Sequence, residues 1–129
     1  MNRKKIALLV DDDEDFLAQQ KIALETLGLQ VVTALSRADA ETYLETTTPD
    51  IAIVDLMLEE LDSGFILAHH IKAKTPAMPV IIISAVTHER DIAFGAESMG
   101  PDKWVKADVI LSKPARFEQL KKEIERLLP

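Results

Sequence analysis

Four short apolar runs of this chain each lead into a side chain that can take part in chemistry. The runs begin at Ile6, Ile51, Val80 and Val109, and they lead in turn into Asp11-Asp12-Asp13, Asp55, Ser84 and Lys113. If the runs are parallel strands of one sheet, their ends lie along the edge where open α/β sheets bind ligands. Clustered carboxylates favour a hard cation, and the lysine ammonium adds a fixed positive charge. The pattern therefore predicts one small polar site assembled from distant parts of the chain.

The segments around these runs alternate between strand and helix patterns. Strands are predicted over 5–10, 30–34, 51–54, 80–83 and 109–112, and helices over 14–27, 37–46 (with Ser36 as N-cap), 63–73, 88–98 and 115–128. Strands that are apolar throughout are typical of a parallel sheet covered on both faces. With right-handed crossovers, we expect an α/β fold with a five-stranded parallel sheet of order 2-1-3-4-5, a flavodoxin-like doubly wound (βα)5 three-layer sandwich.

The composition indicates one globular domain and excludes several classes of function. The chain has 129 residues, of which 47% are hydrophobic and 29% charged, and its net charge is -7. An acidic chain without a basic stripe is a poor direct ligand for nucleic acid. There is no cysteine, which excludes disulfides and thiolate metal sites. No apolar stretch approaches a membrane span or a signal peptide, so a cytoplasmic location is expected.

Each polar feature also has a structural interpretation when it is taken alone. The aspartate triplet could place negative charge at a helix start, Asp55 could cap a turn, and Lys113-Pro114 is typical of a turn. Ser84 could be a structural hydroxyl. His69-His70 are adjacent, so they point to different helix faces and are interpreted as solvated or half-buried side chains. Only the conjunction of the first four features favours a functional site.

That ordered set, with each member following a strand, resembles the CheY-like receiver domain of bacterial two-component response regulators. The resemblance spans 1–129, a single receiver domain with no output domain visible. It implies a phosphorelay switch and not an enzyme acting on other molecules, since its chemistry would be limited to self-phosphorylation and self-dephosphorylation.

The resemblance assigns a phosphoacceptor and a metal site. Asp55 resembles the aspartate that accepts a phosphoryl group, and Asp11 and Asp12 resemble the acidic pair that holds Mg²⁺ (or Mn²⁺). Asp55 and the backbone carbonyl of Met57 would complete the protein ligands. Oxygen ligands of this kind suit Mg²⁺, which usually keeps several waters.

Three further residues are implied to serve the phosphoryl group. Ser84 resembles the hydroxyl that turns inward to bind a phosphoryl oxygen. Lys113 resembles the lysine that pairs with the acceptor carboxylate and then with the phosphoryl group. Pro114 is similar to the family's proline that often follows a cis peptide bond, which would aim Lys113 at the site.

Partners also follow from the resemblance. The phosphoryl group would come from a sensor histidine kinase or phosphotransfer protein. A downstream protein would read the face formed by the fourth helix, fifth strand and fifth helix of the predicted order (88–98, 109–112 and 115–128). Receivers commonly form homodimers through the same last units of the sheet.

The sequence departs from the usual family pattern near the site. Glu59 replaces a common proline, and the loop 59–64 is longer than usual. The stretch from Ser84 to Lys113 is also longer, which matches an extra loop over 99–107. Ile110 stands where the family commonly has a switch aromatic. The usual paired hydroxyl-and-aromatic switch is therefore in question, and output could instead use the 99–107 loop. Its Trp104 is either an anchor for a partner or a side chain that packs the loop or covers the sheet edge.

Met57 and Val86 occupy the positions that flank the phosphoryl group in this family. Neither side chain can hydrogen-bond or orient an attacking water, which predicts slow self-dephosphorylation. Met57→Asn is expected to accelerate phosphoryl loss, measured as the decay of the phosphorylated protein by intact mass. An unchanged decay rate would contradict this hypothesis.

Two other functions are compatible with the same residues. One is a receiver-like interaction module that is never phosphorylated, for which partner binding would be unaffected by Asp55→Asn. The other is a Mg²⁺-dependent phosphatase or phosphotransferase acting on a small molecule. The chain has no segment that would serve as a substrate cap, and stable phosphorylation of the protein itself would separate these cases.

Overall fold

Five parallel strands form one sheet in the computed structural model, which describes residues 4–55, 63–84, 107–112 and 117–128. The strands are β1 (Ile6–Val10), β2 (Gln30–Ala34), β3 (Ile51–Asp55), β4 (Val80–Ser84) and β5 (Val109–Ser112). The helices within these ranges are α1 (Glu14–Glu25), α2 (Arg37–Thr46), α3 (Ser63–Lys74) and the C-terminal α4 (Phe117–Leu127).

The strand order is β2-β1-β3-β4-β5, as predicted. Val10 of β1 is in register with Val54 of β3, and Asp55 of β3 is in register with Ile83 of β4. The carboxyl ends of the three central strands therefore lie side by side. This register brings residues that are far apart in sequence to one edge of the sheet.

Successive side chains of the central strands β1, β3 and β4 enter two separate cores, which explains their continuous apolar runs. Ala52 and Val54 pack on the α2 and α3 side, with Leu67 of α3. Ile51 and Ile53 pack on the α1 and α4 side, where α1 and α4 contribute apolar residues of their own. A strand that is buried on both faces cannot alternate polar with apolar residues. The predicted three-layer sandwich is confirmed.

The helix boundaries differ from the predicted ones where local turns intervene. The first helix was expected to reach Leu27 but ends at Glu25. The Leu27 N–H instead donates to the Leu24 carbonyl at 3.0 Å, and the Gly28 N–H to the Glu25 carbonyl at 3.0 Å. Gly28 has a φ of 85°, a left-handed conformation that glycine adopts without a Cβ penalty and that ends helices. The predicted N-cap of α2 is confirmed, because the Ser36 hydroxyl accepts the Asp39 N–H at 3.1 Å.

Two aspartates at the opposite edge of the sheet pair with the first residue of a neighbouring strand. Asp50 Oδ2 accepts the Ile6 N–H at 2.7 Å, and the Asp50 N–H donates to the Ile6 carbonyl at 2.8 Å. Asp108 repeats the arrangement with Val80, both bonds measuring 2.8 Å. Each carboxylate thus satisfies the N–H of the first residue of a strand, which would otherwise lack a partner.

Asp50 also acts on a nearby phenol. The pKa of Tyr43 is raised, mainly by burial and secondly by the negative charge of the Asp50 carboxylate.

Lys72 of α3 joins the second of these arrangements. Its Nζ donates to Asp108 Oδ2 at 2.8 Å and to the Met78 carbonyl at 2.6 Å. The Lys72 side chain is only 6% exposed, so the ion pair is largely removed from solvent. The contact ties the last turn of α3 to the segments that lead into β4 and β5.

Several sequence predictions lie outside the described residues. They are the helix over 88–98, Glu59 with most of its loop, and the 99–107 loop with Trp104, apart from Ala107, which is buried. Among the residues described, no helix combines the length and apolar character needed to cross a bilayer.

Candidate functional site

The ends of β1 and β3 bring three carboxylates together. Asp11 and Asp12 directly follow β1, and Asp55 is the last residue of the adjacent β3. One carboxylate oxygen from each of the three lies within 4.8 Å of the others. Asp11 and Asp55 are 1% and 7% exposed, whereas Asp12 is exposed. The cluster is therefore anchored in the sheet but open to solvent on one side.

Backbone and side-chain hydrogen bonds orient the buried Asp11. Its N–H donates to the Ala34 carbonyl at the end of β2 at 3.1 Å. Its carboxylate Oδ1 accepts the Asp13 N–H at 2.9 Å. Asp13 in turn is the N-cap of α1, because its Oδ1 accepts the Phe16 N–H at 3.1 Å. The aspartate triplet thus divides into two clustered carboxylates and one helix cap.

The sequence analysis assigned Asp11 and Asp12 to the metal site through the family resemblance and gave Asp13 no separate role. The signal that distinguishes it is local, since Asp is a favoured N-cap residue and Glu14 and Asp15 follow in the first turn. The structural interpretation weighed for the triplet is therefore correct for Asp13, while Asp11 and Asp12 join the cluster with Asp55.

The donor set fits a hard divalent cation. Three carboxylates repel one another at this separation, and a cation between them would relieve the repulsion while filling an oxygen-rich coordination shell. Among the described residues, only Asp11, Asp12 and Asp55 bring three acidic or imidazole groups within ligand distance of one another. The exposed position of Asp12 leaves room for water ligands and for an incoming group.

The backbone places one other predicted site residue, Ser84, at the same edge. Ser84 ends β4, directly beside the β3 strand that carries Asp55, and it is in register with Ser112 at the end of β5. The side chain of Ser84 is outside the described set. Met57, Val86, Lys113 and Pro114 also lie outside the described residues, although Lys113 directly follows Ser112 in sequence.

Comparison with known proteins identifies this arrangement. The family profile described as the response regulator receiver domain matches residues 7–125. The chain belongs to the receiver domain family of two-component response regulators. Its strand order and its cluster of three carboxylates, Asp11, Asp12 and Asp55, are those expected for a receiver.

Curated relatives of this receiver are transcriptional regulators. It is 33% identical to the transcriptional regulatory protein PrrA of Mycobacterium leprae over 88% of this chain and 48% of that protein. It is 28% identical to PhoP of Bacillus subtilis, described as the alkaline phosphatase synthesis transcriptional regulatory protein, over 99% of this chain and 49% of the relative. The chain therefore spans about half the length of these relatives.

Solved receiver structures share the fold over nearly the whole chain. A CheY-like receiver domain protein from Methanospirillum hungatei superposes with a TM-score of 0.81 at 25% identity, covering 97% of this chain and 94% of that one. The response regulator TrrA of Thermotoga maritima, solved in complex with Mg²⁺-BeF, gives a TM-score of 0.79 at 26% identity, covering 96% and 99% of the two chains.

Two predicted features of the receiver lie away from the acidic cluster. Ile110, at the switch-aromatic position, is half-buried and packs against the core on the α2 and α3 side. His69 and His70 are exposed on α3, with ring centroids 6.4 Å apart, and His70 Nδ1 lies 3.3 Å from Glu41 Oε1. The histidines are thus solvated side chains, as interpreted from the sequence.

Proposed function

We propose that this receiver accepts a phosphoryl group on Asp55 and that Asp11, Asp12 and Asp55 hold the Mg²⁺ required for the transfer. The observation that carries the proposal is the convergence of the three carboxylates within 4.8 Å, with Asp55 almost buried at the end of β3. The complex of the related TrrA with Mg²⁺-BeF supports the same metal for this chain. Mn²⁺, another divalent cation with oxygen preference, is expected to substitute.

The geometry suits phosphoryl transfer because that reaction depends mainly on positioning and charge neutralisation. A carboxylate oxygen of Asp55 forms a new P–O bond while the bond from phosphorus to the donor breaks, and the donor keeps the electron pair. The rigid β3 strand, paired on both sides by β1 and β4, fixes the attacking oxygen. Mg²⁺, when bound, supplies positive charge for the phosphoryl oxygens.

Further residues are proposed to act on the transferred group. Lys113 pairs with the acceptor carboxylate and then with the phosphoryl group, and the Ser84 hydroxyl binds a phosphoryl oxygen. The Met57 backbone carbonyl completes the metal ligands, and Pro114 sets the direction of Lys113. The positions of Ser84 and Ser112 at the same sheet edge support these roles.

We infer that the phosphoryl donor is a sensor histidine kinase or a phosphotransfer protein, and that the domain works in the cytoplasm. The added charge on Asp55 would bias a two-state equilibrium of the surface that a downstream protein reads. That surface includes β5 and α4, and a homodimer could use the same face. The domain acts as a switch, with no substrate beyond its own phosphoryl group.

Phosphorylation of the isolated chain tests the proposal. The protein is incubated with acetyl phosphate in Mg²⁺ and, in parallel, in EDTA, and its intact mass is followed over time. We expect a single phosphoryl adduct with Mg²⁺ and none with EDTA, because the acidic cluster needs the cation to admit an anionic donor. An adduct that forms equally in EDTA would contradict the metal assignment. Absence of any adduct with both acetyl phosphate and a histidine kinase would favour the unphosphorylated interaction module.

A further inference from the structure

We infer that Asp13 is a positioning residue for the metal site, because its side-chain cap on α1 holds the amide that orients the Asp11 carboxylate. The inference rests on the proposed function, since it concerns the same Mg²⁺ site. It goes beyond that proposal because Asp13 is outside the cluster of three carboxylates and touches the site only through its backbone.

Asp13 takes part in three hydrogen bonds that link the site to the helix. Its N–H donates to Asp11 Oδ1 at 2.9 Å, and its own Oδ1 accepts the Phe16 N–H at 3.1 Å. Its carbonyl accepts the Leu17 N–H at 3.0 Å, the first bond of the helix. The backbone at Asp13 is extended, with φ -94° and ψ 106°, as an N-cap residue should be. One residue thus connects the metal-site turn with the first turn of α1.

The helix that Asp13 caps is packed on the core through its apolar side chains. Leu17 is 4% exposed and Leu24 is fully buried, both on the α1 and α4 side of the sheet. The first turn of α1 therefore has a defined position relative to β1 and β3. While the Asp13 side chain caps this first turn, the Asp13 N–H stays directed at the Asp11 carboxylate. Asp12, between the two, is then held beside Asp55.

Loss of the cap would release this geometry locally. The first N–H groups of a helix have no intrahelical acceptor, so an uncapped first turn frays. Fraying at Phe16 would rotate the peptide of Asp13 and weaken its bond to Asp11. The Asp11 carboxylate would then lose one of the hydrogen bonds that orient it toward its two neighbours, and the site would lose preorganisation. Hydrogen-bond partners of metal ligands commonly affect metal affinity in this way.

Calorimetric titration of the metal-free protein with MgCl₂ tests the inference. We expect Asp13→Ala to weaken Mg²⁺ binding by about tenfold, whereas Asp13→Asn and Asp13→Ser, which keep a capping oxygen without the charge, stay near wild type. Urea unfolding is measured for every variant, so that a loss of affinity can be compared with a loss of helix stability.

Ser36→Ala is the matched control. It removes the equivalent cap from α2, where the Ser36 hydroxyl accepts the Asp39 N–H at 3.1 Å, and it should lower stability without changing the Mg²⁺ dissociation constant. Equal weakening in Asp13→Ala, Asp13→Asn and Asp13→Ser would assign the effect to charge and overturn the inference. Unchanged affinity in Asp13→Ala would also overturn it. If wild type itself binds no Mg²⁺, the proposed function fails, which is a different and recognisable result.

Discussion

Asp55→Asn is expected to reduce phosphoryl uptake from acetyl phosphate by about 100-fold or more, because an amide cannot replace the carboxylate as nucleophile. The substitution is nearly isosteric, so β3 and its pairing with β1 and β4 should be retained. The free energy of unfolding should be equal to that of wild type or higher, since one of three mutually repelling charges is removed. Intact mass after incubation with Mg²⁺ and acetyl phosphate, together with urea unfolding, measures both effects.

Asp39→Asn is the matched control for this prediction. Asp39 is exposed in the first turn of α2 and lies outside the acidic cluster, so the same chemical change should leave phosphoryl uptake unaltered. If Asp55→Asn still gave a full adduct, the acceptor would be another residue. Peptide mapping of that adduct would then identify it, and the assignment of Asp55 would be wrong.

Asp108→Ala is expected to lower the free energy of unfolding by about 3 kcal/mol. The substitution removes the acceptor of two groups at once, the buried Val80 N–H and the Lys72 ammonium. Among the described contacts, Lys72 would keep the carbonyls of Pro76 and Met78 but would have no counter-ion. Asp108→Asn should cost less, because an amide oxygen can still accept the Val80 N–H. Urea denaturation of the two variants and wild type checks this order.

Lys72→Met provides the reciprocal test of the same contact. The Asp108 side chain is 29% exposed, so without Lys72 it can be hydrated while it still accepts the Val80 N–H. We expect a loss within about 1 kcal/mol, because a buried ammonium is costly and methionine fills a similar volume. A loss in Lys72→Met that equals or exceeds the loss in Asp108→Ala would contradict the proposed asymmetry.

The prediction of the elements succeeded where the sequence signal is local. Four apolar runs, too continuous for an exposed sheet, and the shorter apolar pattern of Gln30–Ala34 predicted the strands, and right-handed crossovers predicted their parallel order. Ser36 predicted the start of α2 because a capping hydroxyl acts within one helical turn. The end of α1 was predicted two residues too late because Leu27 continues the apolar pattern, and the competing turn depends on Gly28 adopting a positive φ.

The contacts made by Asp50 and Asp108 were not predicted. In the sequence, each is an aspartate before a strand, a position that is also common for turn residues. Their carboxylates can accept the N–H groups of Ile6 and Val80 only when the neighbouring strands are aligned. The partners are 44 and 28 residues away in the sequence. The residues around each aspartate therefore do not indicate which N–H its carboxylate will accept.

The sequence by itself determined which side chains could form the site, because residue types at strand ends specify chemistry and the parallel order specifies a shared edge. The family resemblance singled out Asp11 and Asp12, but only the tertiary structure shows how the triplet divides in space, with Asp11 and Asp12 beside Asp55 and Asp13 capping α1. That division depends on the register of β1 against β3 and on where Leu17 anchors the helix on the core. Both are set by packing between distant segments, so the local N-cap signal at Asp13 cannot by itself place Asp11 and Asp12 beside Asp55.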